Sequence, residues 1–305
     1  QQGLLLEAAP RLPGWEIAAV SLPARDLGGD LYDFLPFGPH AHGIMIGDVS
    51  GKGLPAALRM AVARTVFRHE ARRDEPPAAT LAAVNRGVLS EIPQGMVTML
   101  YARLDTARGL LRLANAGHTF PLIVAEGVRE LELSGLPLGV DGDSSYAELT
   151  AKLDHGDSVL LYSDGVLEAE SPAGAIFGFE RLQALVAANA QLKPRALLAR
   201  LLQELRAWSG GAQSDDITLV ALRRRLASLG AELRGVAAEV LGAERAAVLW
   251  AALAADEVRD AAWPAALPGL VRLAQERYGR GLARELQQQL RLAVEECAPQ
   301  TADDC

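Results

Sequence analysis

Residues 96–133, MVTMLYARLDTARGLLRLANAGHTFPLIVAEGVRELEL, decide the fold class. Four apolar runs, Met96–Asp105, Gly109–Ala114, Thr119–Val124 and Val128–Leu133, follow one another with only short turns between them. Strands joined that tightly must pair antiparallel, since a parallel connection needs a dozen or more residues. Working outward, Trp15–Leu22, Gly43–Val49, Asp157–Tyr162 and Ile217–Leu222 also read as strands. Leu54, Leu58, Ala61, Val62, Thr65, Val66 and His69 recur at helical spacing, and Pro55 suits a first helical turn. A second helix starts at Pro76-Pro77 with Leu81, Val84, Val88 and Ile92 on one face; further helices are expected around Phe179–Ala188 and Pro194–Trp208. Strands in adjacent runs and grouped helices make this an α+β chain with mostly antiparallel sheets, not an alternating doubly wound one.

Aspartates mark the ends of these strands. GGD ends at Asp30, GDVSGKG carries Asp48, YSDG carries Asp164, and SDDIT carries Asp215 and Asp216. A single Asp-Gly is an ordinary turn signal. Four such segments together suit hard divalent cations, which take oxygen ligands, while glycine lets the backbone approach closely. Without a cation, so many carboxylates would repel one another. Two ions would neutralise them and activate a water between them. Other motifs fail on inspection. The stretch from Gly47 to Lys52 is one residue short of a P-loop, and Gly53 stands where Ser or Thr is needed. His118, in Asn115-Ala116-Gly117-His118, reads as a structural turn residue rather than a base.

Composition sets the outer limits. The chain has 305 residues, half of them apolar and 22% charged, which excludes a disordered or collagen-like chain. A net charge of -8 argues against nucleic acid as a partner, and no apolar run is long enough to span a bilayer. The two cysteines, Cys297 and Cys305, lie at the extreme C-terminus, so a disulfide framework and a thiol nucleophile are both unexpected. With no secretory signal, a cytoplasmic location is expected; Gln1, in place of a Met, reads as a cut edge. After Arg223-Arg224-Arg225 the chain changes character, with 20 alanines in residues 226–305 and no Lys, His, Asn or Met. Leu229, Leu233, Val236 and Val240 form one amphipathic stripe there. Tyr278, Leu282, Leu286, Leu290 and Val294 form another, opposite Arg284, Glu285, Arg291 and Glu295. Pro264 and Pro268 are expected to break the chain between helices. The expected parse is a linker or helix end over 1–12, a catalytic domain over 13–225 and a small all-α module for regulation or association over 226–305.

The ordered set GGDLYDF (28–34), GDVSGKGLPAAL (47–58), MVTMLYARLD (96–105), NAGH (115–118), GLPLGV (135–140), LYSDGVLEA (161–169) and SDDITLV (214–220) resembles the SpoIIE-like, RsbU-like branch of the metal-dependent protein serine/threonine phosphatases, relatives of the type 2C enzymes. The resemblance covers residues 13–223 and leaves the tail uncovered. It implies an α-β-β-α sandwich of two mostly antiparallel sheets, with two Mn2+ or Mg2+ ions at one edge. Carried over by position, Asp48 bridges both ions, Asp30 and the Val49 carbonyl hold one, and Asp164 and Asp215 hold the other. The catalytic work then passes through a metal-bridging hydroxide that attacks phosphorus in line. Asp33 and Asp216 are candidates for the layer just outside the ligands, and Arg25 is a candidate phosphate-binding residue. Type 2C enzymes carry a histidine two residues after the bridging acid; here that position is Ser50, too weak an acid to replace imidazole.

The resemblance further implies a phosphoserine or phosphothreonine substrate on an anti-anti-sigma protein of the STAS type, within a partner-switching stress response. It implies an upstream sensor domain or activator, joined through a stretch such as Gln1–Leu6, and allows a homodimer. Residues 54–92 would be the element that controls assembly of the metal site, with Leu58, Ala61, Val62 and Val66 as its apolar face. Two alternatives stand beside this: a non-catalytic binding module on the same fold, and a metal-dependent phosphoesterase for small molecules.

Overall fold

The structure, a computed structural model, describes residues 9–297 apart from 26, 93, 94, 227, 254, 256 and 257. The expectations for Gln1–Leu6 and Cys305 lie outside the described residues, as do the side chains of Glu295 and Cys297. The chain divides into two compact units, one ending at Arg224 and one beginning at Arg225.

Among the described residues the first unit holds ten strands: β1 (Trp15–Leu22), β2 (Leu31–Pro36), β3 (Ala41–Val49), β4 (Val97–Asp105), β5 (Leu110–Ala116), β6 (Leu122–Val124), β7 (Val128–Glu130), β8 (Leu149–Lys152), β9 (Ser158–Tyr162) and β10 (Ile217–Arg224). They form two five-stranded sheets, ordered β1-β10-β9-β6-β7 and β2-β3-β4-β5-β8. Every pairing is antiparallel. Alternation along the strands sends one set of side chains between the sheets, where Trp15, Phe34, Ile44, Leu100, Leu161 and Val220 pack together. The other set meets helices. Helices α1 (Leu54–Ala71) and α2 (Pro77–Glu91) cover the second sheet. Helices α3 (Gly178–Ala188) and α4 (Pro194–Trp208) cover the first. The result is the expected α-β-β-α sandwich.

One expected helix face is turned the other way. Leu58 and Val62 of α1 are exposed, at 61% and 37%, whereas Ala56, Met60, Ala63, Phe67 and Ala71 are buried against the sheet. Small alanines let α1 lie close to the strands, and that side also carries Arg64 to a buried acid on β2. Phe67, fully buried and edge-on to Tyr101 with ring centroids 5.1 Å apart, is the anchor of this packing. Truncating Phe67 to alanine is therefore expected to cost about 3–5 kcal/mol, against no more than about 0.5 kcal/mol for Leu58→Ser. Urea unfolding of both variants checks the ranking; equal losses would restore the face predicted from periodicity.

The second unit contains α5 (Leu229–Leu241), α6 (Ala243–Ala252), α7 (Trp263–Tyr278) and α8 (Arg280–Cys297). Ser228 caps α5 by accepting from the Ala231 amide at 3.1 Å. Leu233, Trp250, Trp263, Leu270, Leu286 and Leu290 form a core of its own, with the Trp250 and Trp263 rings 5.1 Å apart. Pro264 occupies the first turn of α7, but Pro268 sits inside that helix instead of breaking it. Its missing N–H forfeits one bond early in the helix, and burial of Leu270 and Ala274 outweighs that loss.

Candidate metal and phosphate site

Strand pairing brings the separated acids to one edge of the first unit. Leu31 pairs with Gly47, so Asp30 and Asp48 end neighbouring strands. Leu219 pairs with Tyr162, so Asp164 and the Asp215–Asp216 pair stand at matching ends of β9 and β10. Asp164 opens a 3-10 turn, Asp164–Val166, and the Ser163 amide donates to the Thr218 carbonyl at 3.0 Å. Glycine is required twice. A Cβ on Gly165 would come within 2.0 Å of the Asp216 carbonyl oxygen, and one on Gly29 within 2.6 Å of the Val49 carbonyl and 3.0 Å of Asp48 Oδ1. The Val49 carbonyl therefore lies against the loop that delivers Asp30.

Asp216 is what joins the two sheets here. Its Oδ1 accepts from the Ala24 amide at 2.7 Å, and its Oδ2 accepts from the amides of Gly29 at 2.6 Å and Asp30 at 3.4 Å. A residue at the head of β10 thus clasps the loop preceding β2 and sets the position of Asp30. Asp33, the other candidate for the layer outside the ligands, is tied to α1. It is buried, and its carboxylate is bound by Arg64 at 3.0 Å and Arg68 at 2.6 Å, both from α1. It therefore secures α1 to the sheet. Arg25 is exposed on the loop that Asp216 clasps.

Electrostatics single out the acids. Burial pushes the Asp30 carboxyl well above the usual carboxylate range, and the neighbouring Asp48 pushes it further; the hydroxyls of Ser163 and Thr218 counteract this. Asp48 is raised to about 7, first by burial and then by Asp164, Asp215 and Asp216. Asp164 is raised by burial and by Asp215. Two further charged groups, not assigned to the site from the sequence, stand beside these acids. Glu168 lies one helical turn beyond Asp164, its amide bonded to the Asp164 carbonyl, and it is raised by burial and by Asp164 and Asp215. Lys52 Nζ lies 3.0 Å from Asp215 Oδ2. The spacing of four residues from Asp164 could have revealed Glu168, and a lone cation in GDVSGKG could have revealed Lys52.

The donors suit a divalent cation. Asp30 Oδ2 is buried and lacks a hydrogen-bond partner, a costly arrangement that a cation would relieve. The available ligands are all oxygens, the preference of Mg2+ and Mn2+. Among the described residues no three acidic or imidazole side chains are already drawn together as a complete ligand set. The oxygens instead fall into two halves, Asp30 with Asp48 and the Val49 carbonyl, and Asp164 with Asp215.

Neighbouring polar residues are committed to structure. Ser50 Oγ accepts from the Met96 amide at 3.1 Å, fastening the loop between β3 and α1. Asn115 and His118 exchange two bonds: the Asn115 Nδ2 donates to the His118 carbonyl, and the His118 amide donates to Asn115 Oδ1. The buried His118 imidazole is lowered to about 4 by desolvation and lies 2.9 Å from Thr98 Oγ1. It is neutral at pH 7 and holds a turn, as its sequence context suggests.

Comparison with known proteins shows the family. A family model described as Stage II sporulation protein E (SpoIIE) matches residues 38–225. Phosphoserine phosphatase RsbU of Bacillus subtilis is 31% identical over 232 residues, covering 74% of this chain and 68% of RsbU. Protein IcfG of Synechocystis sp. is 31% identical over 255 residues, and the match spans 73% of this chain but only 40% of IcfG. Among solved structures, the RsbU and RsbW domains of Rv1364c from Mycobacterium tuberculosis superpose with a TM-score of 0.65 at 29% identity, covering 77% of this chain and 70% of that one.

Proposed function

Because the chain belongs to the SpoIIE family of PP2C-type protein serine/threonine phosphatases, we propose that its acid edge hydrolyses phosphoserine or phosphothreonine on an anti-anti-sigma protein. The observation that carries the site assignment is the convergence of Asp30, Asp48, Asp164 and Asp215 at one edge, with a buried Asp30 oxygen left unpartnered. The family is metal-dependent, and two ions would be held here by Asp48, by Asp30 with the Val49 carbonyl, and by Asp164 with Asp215. When bound, such ions supply an activated water and neutralise the charge that builds on the phosphoryl oxygens.

The protein's own residues supply position. Asp216 fixes Asp30 through its backbone amides, and Ser50 fixes the loop after Asp48. In hydrolysis the P–O bond to the serine side chain breaks, the water oxygen stays on phosphorus, and the serine oxygen takes up a proton. Ser50 is a weak acid already engaged with Met96, and His118 is buried and neutral, so solvent water is assigned that proton transfer. Arg25, exposed on the clasped loop, is a candidate phosphate contact beside its plainer reading as a surface arginine.

The anti-anti-sigma substrate is supported by the likeness to RsbU, a phosphoserine phosphatase, and to a structure pairing RsbU and RsbW domains. An upstream activator and a cytoplasmic setting belong to the same proposal. No helix among the described residues is long and apolar enough to cross a membrane. Residues 226–305 are assigned to regulation or association. Incubation with Mn2+ and a phosphorylated STAS-type protein should release inorganic phosphate, and EDTA should stop it. Undiminished release in EDTA would refute the metal mechanism, while hydrolysis of small aryl phosphates alone would favour a small-molecule phosphoesterase.

A further inference from the structure

The acid edge contains a cation for which the hydrolytic scheme has no use. Lys52 leaves the loop between β3 and α1, places its Nζ 3.0 Å from Asp215 Oδ2, and donates to the Ser214 carbonyl at 2.9 Å. No other ion pair among the described residues engages Asp30, Asp48, Asp164 or Asp215. The pair also crosses between the two halves of the site. Lys52 belongs to the segment of Asp48 and Val49, and Asp215 belongs to the segment leading into β10. Both side chains are partly exposed, at 46% and 32%, so the pair can open without burying a lone charge.

We propose that Lys52 is a built-in competitor for the divalent cation at the Asp164–Asp215 half of the site, occupying an Asp215 oxygen until a metal ion displaces it. The inference rests on the metal-site reading above. An ammonium and a metal ion draw on the same carboxylate lone pairs, and they also repel each other. An entering ion must break the Lys52–Asp215 bond and work against a nearby positive charge. Displacement also releases a tether on the loop that begins α1, so metal occupancy and the position of that loop are linked.

The test is Mn2+ titration of the full chain by calorimetry, comparing wild type with Lys52→Gln, Lys52→Arg and Asp215→Asn. Removing one positive charge a few ångströms from a divalent ion should tighten binding by about five-fold or more. Lys52→Arg, which keeps the charge, should stay within about two-fold of wild type. Lys193→Gln, a lysine paired with Glu16 at 3.3 Å, controls for net charge and should leave the affinity unchanged. Unchanged or weaker binding by Lys52→Gln, with Asp215→Asn impaired, overturns the competitor role and leaves the metal site standing. Wild-type affinity in Asp215→Asn overturns the metal-site reading itself, and the inference with it.

Discussion

Asp48→Asn is expected to lower Mn2+-dependent hydrolysis by at least roughly a thousand-fold, the loss of several kcal/mol of metal-derived stabilisation, while raising the melting temperature of the metal-free protein at pH 8. Both effects have one cause. At pH 8 the Asp48 carboxyl, raised to about 7 by burial and by Asp164, Asp215 and Asp216, is ionised among other acids. That arrangement disfavours the folded state unless a cation compensates. Asparagine keeps the shape and removes the charge, so the empty fold gains stability and the ligand proposed to be shared is lost. Thermal unfolding in chelator measures the first effect and phosphate release the second. Mn2+ should then raise the melting temperature of wild type but not of the variant, because only an ion bound to the native state stabilises it. A variant that melts lower than wild type in chelator at pH 8 would make Asp48 a structural hub and remove the premise of repulsion.

The sequence shows the sandwich more clearly than the details of its faces. β1 has the same bounds in both readings, and the hairpins β4–β5 and β6–β7 follow from their short turns. But β5 and β6 belong to different sheets, so the expected continuous meander is instead two hairpins split between the sheets. β8 escapes detection because Leu149–Lys152 is a four-residue edge strand with little alternation to read. β2 hides within GGDLYDF because its first four residues are all buried, so no apolar-polar alternation marks it as a strand. On α1, periodicity identifies a helix but selects the wrong face, since Leu54, Leu58 and Val62 satisfy helical spacing as well as the buried alanines do. Spacing along one helix says nothing about which side must lie close to a sheet. The arginine pair on Asp33 is illegible for the same reason: Arg64 and Arg68 lie about thirty residues away in sequence and meet it only through tertiary packing. The four acids are legible because glycine-flanked aspartates at strand ends combine local backbone demands with ligand chemistry.

Metal affinity should fall steeply as the solution is acidified, because the ligands must give up protons to bind an ion. The sign follows from the raised carboxyls. With Asp48 near 7, the metal-free site carries a proton there below neutrality, and each pH unit below 7 should weaken apparent binding by about ten-fold from this group alone. Asp30 and Asp164, raised by burial and by their acidic neighbours, steepen the slope as they too become protonated. Above pH 8 the contribution of Asp48 should flatten, since that carboxyl no longer competes. Folding without metal runs the opposite way. The native state holds Asp48 protonated at pH values where the unfolded chain, near 3.8, has already released that proton. Stability of the metal-free protein therefore declines as pH rises between about 4 and 7, where the native state binds more protons than the unfolded one. Calorimetric Mn2+ titrations at pH 6 and pH 8, repeated in two buffers of different ionisation enthalpy, measure both the affinity change and the protons released. An affinity that stays flat across that interval, with no proton release, would mean that the acids at this edge are already ionised and compensated by something other than a metal ion.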